Sequence, residues 1–448
     1  MSYSGGRRPM EGASKTSHRH VVQDDVVKQY MAELAPRIKP GALDLSRHTL
    51  IDYCEVTDNP IKSFMAFDGG YQEVTVEPGY PSSALGFFQF GALYFRRDDL
   101  DNLKSTPFID PDDMARLRQM ERLKLALPLR NCVLPTETSI THSIRRTLQR
   151  FFAAPREGDA KTMLDTLRWF IFRQYLPTGQ QHATYGLSQC PHCAEQVDLV
   201  AAQLHPTDFA MPCSKCGGEL LLIDVLRLHE VIDDELGAGE IMGYVTTAVE
   251  QLVLVHFIRI ILTTTPALLK EIFFFKDGPL GFFGQTANMH KPMLDLVSFV
   301  QHKHNALYLV GLEKSGAFVE HAKVISHLLK PGQILLLDNE YIYKYITPGK
   351  ANNTKPYGDT SYYGQKLIFK TPEEAVYVVT VPVSKLAIKP VAGNLKDLQL
   401  LLTNVAKLRC DMYDNAIMPI ALANKLVSLS NRPSAGILQK FAQGRSTI

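Results

Sequence analysis

Phe64-Met65-Ala66-Phe67-Asp68-Gly69-Gly70 and Ile272-Phe273-Phe274-Phe275-Lys276-Asp277-Gly278-Pro279-Leu280 are two versions of one pattern, an apolar run that delivers an aspartate and then a glycine. Aromatic-rich runs of this length favour a buried strand, and glycine after the acid lets a ligand approach the backbone closely. Taken singly, each Asp-Gly reads as the turn of a hairpin. Taken together, on strands far apart in the chain, they read as two carboxylates that meet if the strands are neighbours. Such a pair suits a hard divalent cation, Mg²⁺ or Mn²⁺, and with it metal-assisted attack on a phosphodiester.

Working outward, Gln72 to Val76 continues as extended chain, Pro78-Gly79-Tyr80-Pro81 reads as a hairpin loop, and Ala84 to Phe95 as a second strand. Upstream, Gln23 to Ile38 has helical character and Pro40 to Cys54 is a connector into the sheet. Asp110 to Leu129 and Ser139 to Tyr175, rich in Arg, Leu, Met and Gln at helical spacing, predict an outer helical layer. A long helix follows from about Gly239 to Leu262, then a short one at Pro266 to Leu269. Strand signals return at Glu271 to Lys276, Ala306 to Leu312, Gln333 to Leu337, Lys366 to Phe369 and Ala375 to Val381. Interleaved strands and helices of this kind predict an α/β fold, a mixed β-sheet flanked by helices. Asn352 to Gly364, with three tyrosines among small polar residues, reads as a binding loop.

The strongest local signal is a cysteine module. Cys190-Pro191-His192-Cys193, nineteen further residues, and Cys213-Ser214-Lys215-Cys216-Gly217-Gly218 match the paired knuckles of a zinc ribbon. Four thiolates complete a tetrahedron and leave no position for water, so the Zn²⁺ expected there is structural. The sequence therefore divides into a flexible lead-in (1–22), a first part of the main domain (23–185), the zinc-ribbon insertion (186–236), a second part (237–430) and a C-terminal tail (431–448).

Composition sets the outer bounds. With 448 residues, 45% hydrophobic and 21% charged, the chain is long enough for a large core and is neither disordered nor fibrous. A net charge of +2 means that a polyanion must meet a local basic patch. Thiols confined to CxxC pairs or scattered predict a reducing, cytoplasmic setting. Met1 to His20 has no apolar h-region, which speaks against a signal peptide. The most apolar stretch, Ile241 to Leu262, carries Glu250, His256 and Arg259, each costly at bilayer depth, and reads as a buried helix with no membrane role. No phosphate loop of the GxxxxGK[ST] type is present, so any motor is a separate protein.

The two Asp-Gly motifs, the strand end Gly311-Leu312-Glu313-Lys314-Ser315 and the tail Pro419-Ile420-Ala421-Leu422-Ala423-Asn424, in this order, resemble the NurA family of DNA-end-processing nucleases. That resemblance covers most of residues 60 to 428 and implies an RNase H-like sheet. It implies that Asp68 and Asp277 ligate the catalytic metal, with a glutamate on the helix before the second aspartate strand. Glu250, inside the apolar helix where an ordinary surface charge is out of place, matches that position. Glu240, nearer the helix start, is the competitor, since the helix dipole alone explains it. Lys314 matches the strand-end lysine and would neutralise a scissile phosphate. The resemblance further implies a DNA substrate, a homodimer and a hexameric HerA-type ATPase as partner, in DNA repair or in defence against foreign DNA.

The tail departs from the family pattern. Asn424 stands where the family has histidine and Ala416 where it has tyrosine. An amide can ligate a hard metal or hold a phosphate-bound water, but it cannot shuttle a proton. Tyr413 is one substitute in reach. The departure also motivates a second expectation from another class, a catalytically weak nucleic-acid-binding adaptor whose working surface is the zinc ribbon.

Overall fold

The computed structural model describes residues 20–34, 43–77, 79, 81–98, 120–156, 160–409, 417–429 and 434–443. Residues 110–119, Tyr413 and Ala416, discussed above, lie outside these. The chain divides into two units, Met1–Asp44 and Leu45–Ile448. In the first, helix α1 (Asp25–Glu33) starts at Asp24, whose carboxylate accepts the Val27 N–H at 3.0 Å.

The second unit is built on one large mixed sheet flanked by helices. Its elements, in chain order, are β1 (Leu50–Asp52), β2 (Ser63–Glu77), β3 (Ser83–Arg96), β4 (Met120–Arg130), helices α2 (Ile140–Ala153) and α3 (Met163–Ile171), then the short strands β5 (Thr184–Leu187), β6 (Val197–Val200), β7 (Ala210–Pro212) and β8 (Glu219–Leu221). There follow α4 (Ile241–Thr264), β9 (Ile272–Asp277), α5 (His290–Lys303), β10 (Tyr308–Glu313), α6 (Ala317–Ile325), β11 (Gln333–Leu336), β12 (Gly364–Lys370), β13 (Val376–Pro382), α7 (Leu398–Lys407), α8 (Met418–Val427) and α9 (Ser434–Ala442). The nine-stranded sheet runs β1-β11-β12-β13-β10-β9-β2-β3-β4. Its three middle strands, β10, β9 and β2, are parallel, and every other pairing is antiparallel.

Side-chain alternation gives the middle strands two apolar faces. Met65, Phe67, Phe274 and Leu309 join a core with α2 to α5, whereas Phe64, Ala66, Phe273, Phe275, Tyr308 and Val310 join a second core with α7 and α8. Strands covered on both sides read as continuous apolar runs, which is why β9 opens with Ile272 and three phenylalanines. Helix α4 is long and apolar enough to cross a membrane, with a mean hydropathy of 1.7, but 72% of that window is buried against the sheet and its neighbouring helices.

Two expectations are corrected. Residues 120–129, expected in the outer helical layer, belong instead to strand β4, paired antiparallel with β3. Leu123, Leu125, Leu127 and Leu129 are buried while Arg122, Lys124, Ala126 and Arg130 are exposed, a period of two that decides for a strand. Pro128 is tolerated because β4 is an edge strand. The helical layer expected over Ser139 to Tyr175 is present as two helices, α2 capped by Ser139 and α3 opened by a Thr162–Asp165 capping box. Finally, Asp68 does not end a strand. β2 runs unbroken for 15 residues, and Gly69 and Gly70 are extended within it, whereas Gly278 turns the chain at a φ of +81°.

Candidate active site

The parallel pairing Phe67↔Lys276 and Leu312↔Asp277 brings the C-terminal ends of β9 and β10 beside Asp68 within β2. By alternation Asp68, Asp277 and Lys314 project on the second-core side. Lys314, the residue after β10, donates from Nζ to Asp277 Oδ2 at 2.7 Å. Asp68 is 4% exposed; its Oδ1 accepts the Gly69 N–H at 2.8 Å, and its Oδ2 is buried with no hydrogen-bond partner. Burial, reinforced by the neighbouring Asp277 charge and opposed by Lys314, the Gly69 amide and Lys276, pushes the Asp68 carboxyl up to about 7.

Glu250 arrives from the opposite face. It sits within α4, over β2, where Gly69 has no side chain; a Cβ on Gly69 would lie 3.0 Å from Glu250 Oε1 and 2.9 Å from both Phe90 and Thr246. Glycine at this position is therefore what lets the helix carboxyl approach the strand. Burial raises Glu250 to about 8, with Asp68 and Asp277 adding repulsion and Lys276 and the Gly69 amide opposing it. Glu240, by contrast, is exposed at the helix start.

Lys276 was not singled out from the sequence. Its signal was a lone cation after an apolar run of isoleucine and three phenylalanines; it is 5% exposed and donates to the Asp277 carbonyl at 2.6 Å. Beside it, Glu313 pairs with buried Lys366, whose ammonium lies 3.8 Å from the Phe318 ring centroid. Among the described residues, only the cysteines form a set of three or more His, Cys, Asp or Glu side chains close enough to share an ion directly. Asp68, Asp277 and Glu250 form no such set: Asp68 and Asp277 project from one face of the sheet, Glu250 approaches from the other, and Lys314 is paired to Asp277. The group nonetheless fits a divalent cation: its donors are all oxygens, one of them is buried and unpartnered, and burial raises two of the carboxyls.

Asn424 lies on α8, exposed, at the wall of a cavity of about 520 Å³ that begins at Gly69 and Gly70. No described hydrogen bond joins it to Asp68, Asp277 or Glu250. Gly70 closes the packing there, since a Cβ would lie 2.5 Å from the Val427 carbonyl oxygen.

The four cysteines form a compact cluster. Sγ atoms of Cys190, Cys193, Cys213 and Cys216 lie within 4.8 Å of one another, at the ends of the β5–β6 and β7–β8 hairpins. The amides of His192, Lys215 and Gly218 each donate to a cysteine sulfur at 3.4 Å, as knuckles that favour thiolates do. This cluster is compatible with a zinc ribbon. Arg145 and Arg146 tie it to α2. Arg145 is buried and forks onto Asp224 at 2.7 and 2.8 Å, and Arg146 meets Glu219 at 2.6 Å.

No family model and no curated protein matches the chain. Among solved structures it is similar to the NurA nuclease from Sulfolobus solfataricus, with 9% identity over 96% of this chain and 97% of that one and a TM-score of 0.33. It is also similar to a crystal structure of NurA, with 10% identity over 96% and 97% of the two chains and a TM-score of 0.29. A third similar structure is that of NurA with manganese, with 11% identity over 85% and 88% and a TM-score of 0.25.

Proposed function

We propose that the chain is a divalent-metal-dependent deoxyribonuclease whose centre is formed by Asp68, Asp277 and Glu250. The observation that supports this reading is a buried, unpartnered Asp68 Oδ2 within β2, beside the C-terminal end of β9 that carries Asp277, with Glu250 Oε1 reaching the side-chain position that Gly69 leaves vacant. Uncompensated carboxyls at one spot cost stability, and a site that keeps them is built for a cation. Mg²⁺ or Mn²⁺ bound there supplies the charge needed to activate water and to stabilise the leaving oxygen. Asp68 and Asp277 orient the cation from one side of the sheet and Glu250 from the other. Lys314 holds Asp277 in the free protein and turns to the scissile phosphate when the carboxylate is taken up. Asn424 contributes an amide beside the site and no proton transfer.

The substrate is a DNA end or a single strand. The motif resemblance extends the proposal to a homodimer in the cytoplasm working with a HerA-type hexameric ATPase, in DNA repair or in defence against foreign DNA. In the cysteine cluster the reading places one structural Zn²⁺. Purified protein with Mn²⁺ and end-labelled linear DNA should give cleavage that Asp68→Ala and Asp277→Ala each abolish. Undiminished cleavage in both variants overturns the assignment.

A further inference from the structure

Helix α4 carries Glu250 through a core that does little to fix its register. Leu252, Val253, Leu254 and Val255 are consecutive and all buried, so apolar neighbours surround the helix on every side. Contacts between aliphatic side chains have no direction, and a small slide or turn of the helix exchanges one for another. Slippage by one residue would nonetheless carry a side chain about 1.5 Å along the axis and about 100° around it. A carboxyl that must reach the vacant place at Gly69 therefore needs a directional hold.

Gln251 supplies one. It follows Glu250 directly, is 0% exposed, donates from Nε2 to the Gly281 carbonyl at 2.9 Å and accepts the Tyr363 hydroxyl at Oε1 at 2.6 Å. Tyr363 is also 0% exposed, and its amide donates to the Leu280 carbonyl at 3.1 Å, while the Phe282 amide donates to the Ser361 carbonyl at 2.9 Å. Leu280, Gly281 and Phe282 belong to the turn that starts at Asp277 and Gly278. Two consecutive residues of one helix thus face the two parts of the carboxyl group: Glu250 meets the strand that bears Asp68, and Gln251 meets the turn beyond Asp277. A buried amide and hydroxyl add little net stability where apolar side chains of the same shape would serve, whereas a directional network specifies a single arrangement.

We propose that Gln251 is a positioning residue: with Tyr363 it locks α4 to the turn after Asp277, sets the reach of Glu250 toward Asp68 and Asp277, and so sets the affinity of the carboxyl group for its cation. Gln251 acts through Glu250. The proposal rests on the nuclease reading of the carboxyls and adds to it the device that fixes their spacing.

Gln251→Met keeps the length of the side chain and removes both bonds, and Tyr363→Phe removes one and leaves Gln251 on Gly281. Titration calorimetry with Mn²⁺ in the absence of DNA, steady-state cleavage of end-labelled linear DNA and melting in EDTA are read side by side. Gln251→Met should weaken Mn²⁺ binding about tenfold or more and lower kcat by a similar factor, with KM for DNA little changed, and Tyr363→Phe should show a smaller loss of the same kind. A double-mutant cycle separates positioning from packing. With Glu250→Gln already in place, Gln251→Met should weaken Mn²⁺ binding no further, whereas a general loosening of the core would weaken it equally in both backgrounds. Should Gln251→Met fail to fold, the same cycle with Tyr363→Phe decides. If Asp68→Ala abolishes cleavage while Gln251→Met binds Mn²⁺ like wild type, or while the cycle is additive, the positioning role is overturned and the nuclease centre stands. If cleavage survives Asp68→Ala, the centre is overturned and the role of Gln251 in it falls as well.

Discussion

Replacing Asp68 with asparagine keeps the side-chain shape and removes its charge, and the effect on folding follows from burial. In the folded chain the carboxyl is raised from 3.8 to about 7. The folded form thus holds its proton more tightly than the unfolded chain, so this contribution to stability is complete below pH 4 and is lost as the pH climbs to 7. Between pH 5 and pH 8 the wild type forfeits about two pKa units, or about 2.7 kcal/mol, that the asparagine variant does not. A unit of about 400 residues unfolds with an entropy of about 0.8 kcal/mol per kelvin, so the melting temperature of Asp68→Asn should gain about 3 °C on wild type over that interval. Scanning calorimetry in EDTA at the two pH values reads this directly. Mn²⁺ at pH 8 should raise the wild-type melting temperature and shrink the difference, because a cation bound to ionised carboxylates stabilises only the folded form. A difference between variant and wild type that stays constant from pH 5 to pH 8 would refute the claim that Asp68 is desolvated and crowded by its acidic neighbours.

Other substitutions probe the remaining parts. Lys314→Met should lower kcat by about 10²-fold or more while Mn²⁺ binds more tightly, since the ammonium no longer competes for Asp277; steady-state kinetics beside titration calorimetry separates the two effects. Co²⁺ substituted into the cysteine cluster should give the visible spectrum of a tetrahedral thiolate site, and Cys190→Ser should weaken or shift it; an octahedral spectrum would exclude the four-thiolate reading. Arg145→Ala strands the Asp224 carboxylate in the core and should cost about 3–5 kcal/mol, measured by denaturant unfolding. A loss below about 1 kcal/mol would mean that Asp224 finds water or another partner.

The parts of the site legible in sequence were those whose chemistry conflicts with their surroundings. Asp68, Asp277 and Glu250 stand out because each interrupts an apolar run, and burial makes such an interruption costly unless it has a purpose. The cysteine pairs were legible because spacing alone specifies a knuckle. What sequence left open was register. Nothing in the residues around Phe67 says that it sits opposite Lys276, or that β2 continues past it. Glycine misled most: Asp68-Gly69-Gly70 has turn composition, yet the chain runs straight because β3 pairs with it throughout and Glu250 and Val427 need the two vacated side-chain positions. Strand β4 was misread for a related reason. Arginine, leucine and lysine are good helix formers, and propensity was weighed above the alternation of Leu123 to Leu129, which tertiary pairing then enforced.

The packing of the cysteine hairpins extends the reach of their sulfur chemistry. Leu199, Leu220 and Leu226 share one apolar core with Val249 and Leu252 on α4, the helix that carries Glu250. Cys216 is the exposed member of the cluster. An oxidant that reaches its thiol from solvent would disrupt the sulfur cluster, loosen the hairpins, and through the shared core unsettle the helix whose glutamate reaches Gly69. A redox change at the surface would thereby be felt around Gly69, through thiols that no described hydrogen bond joins to the carboxylates.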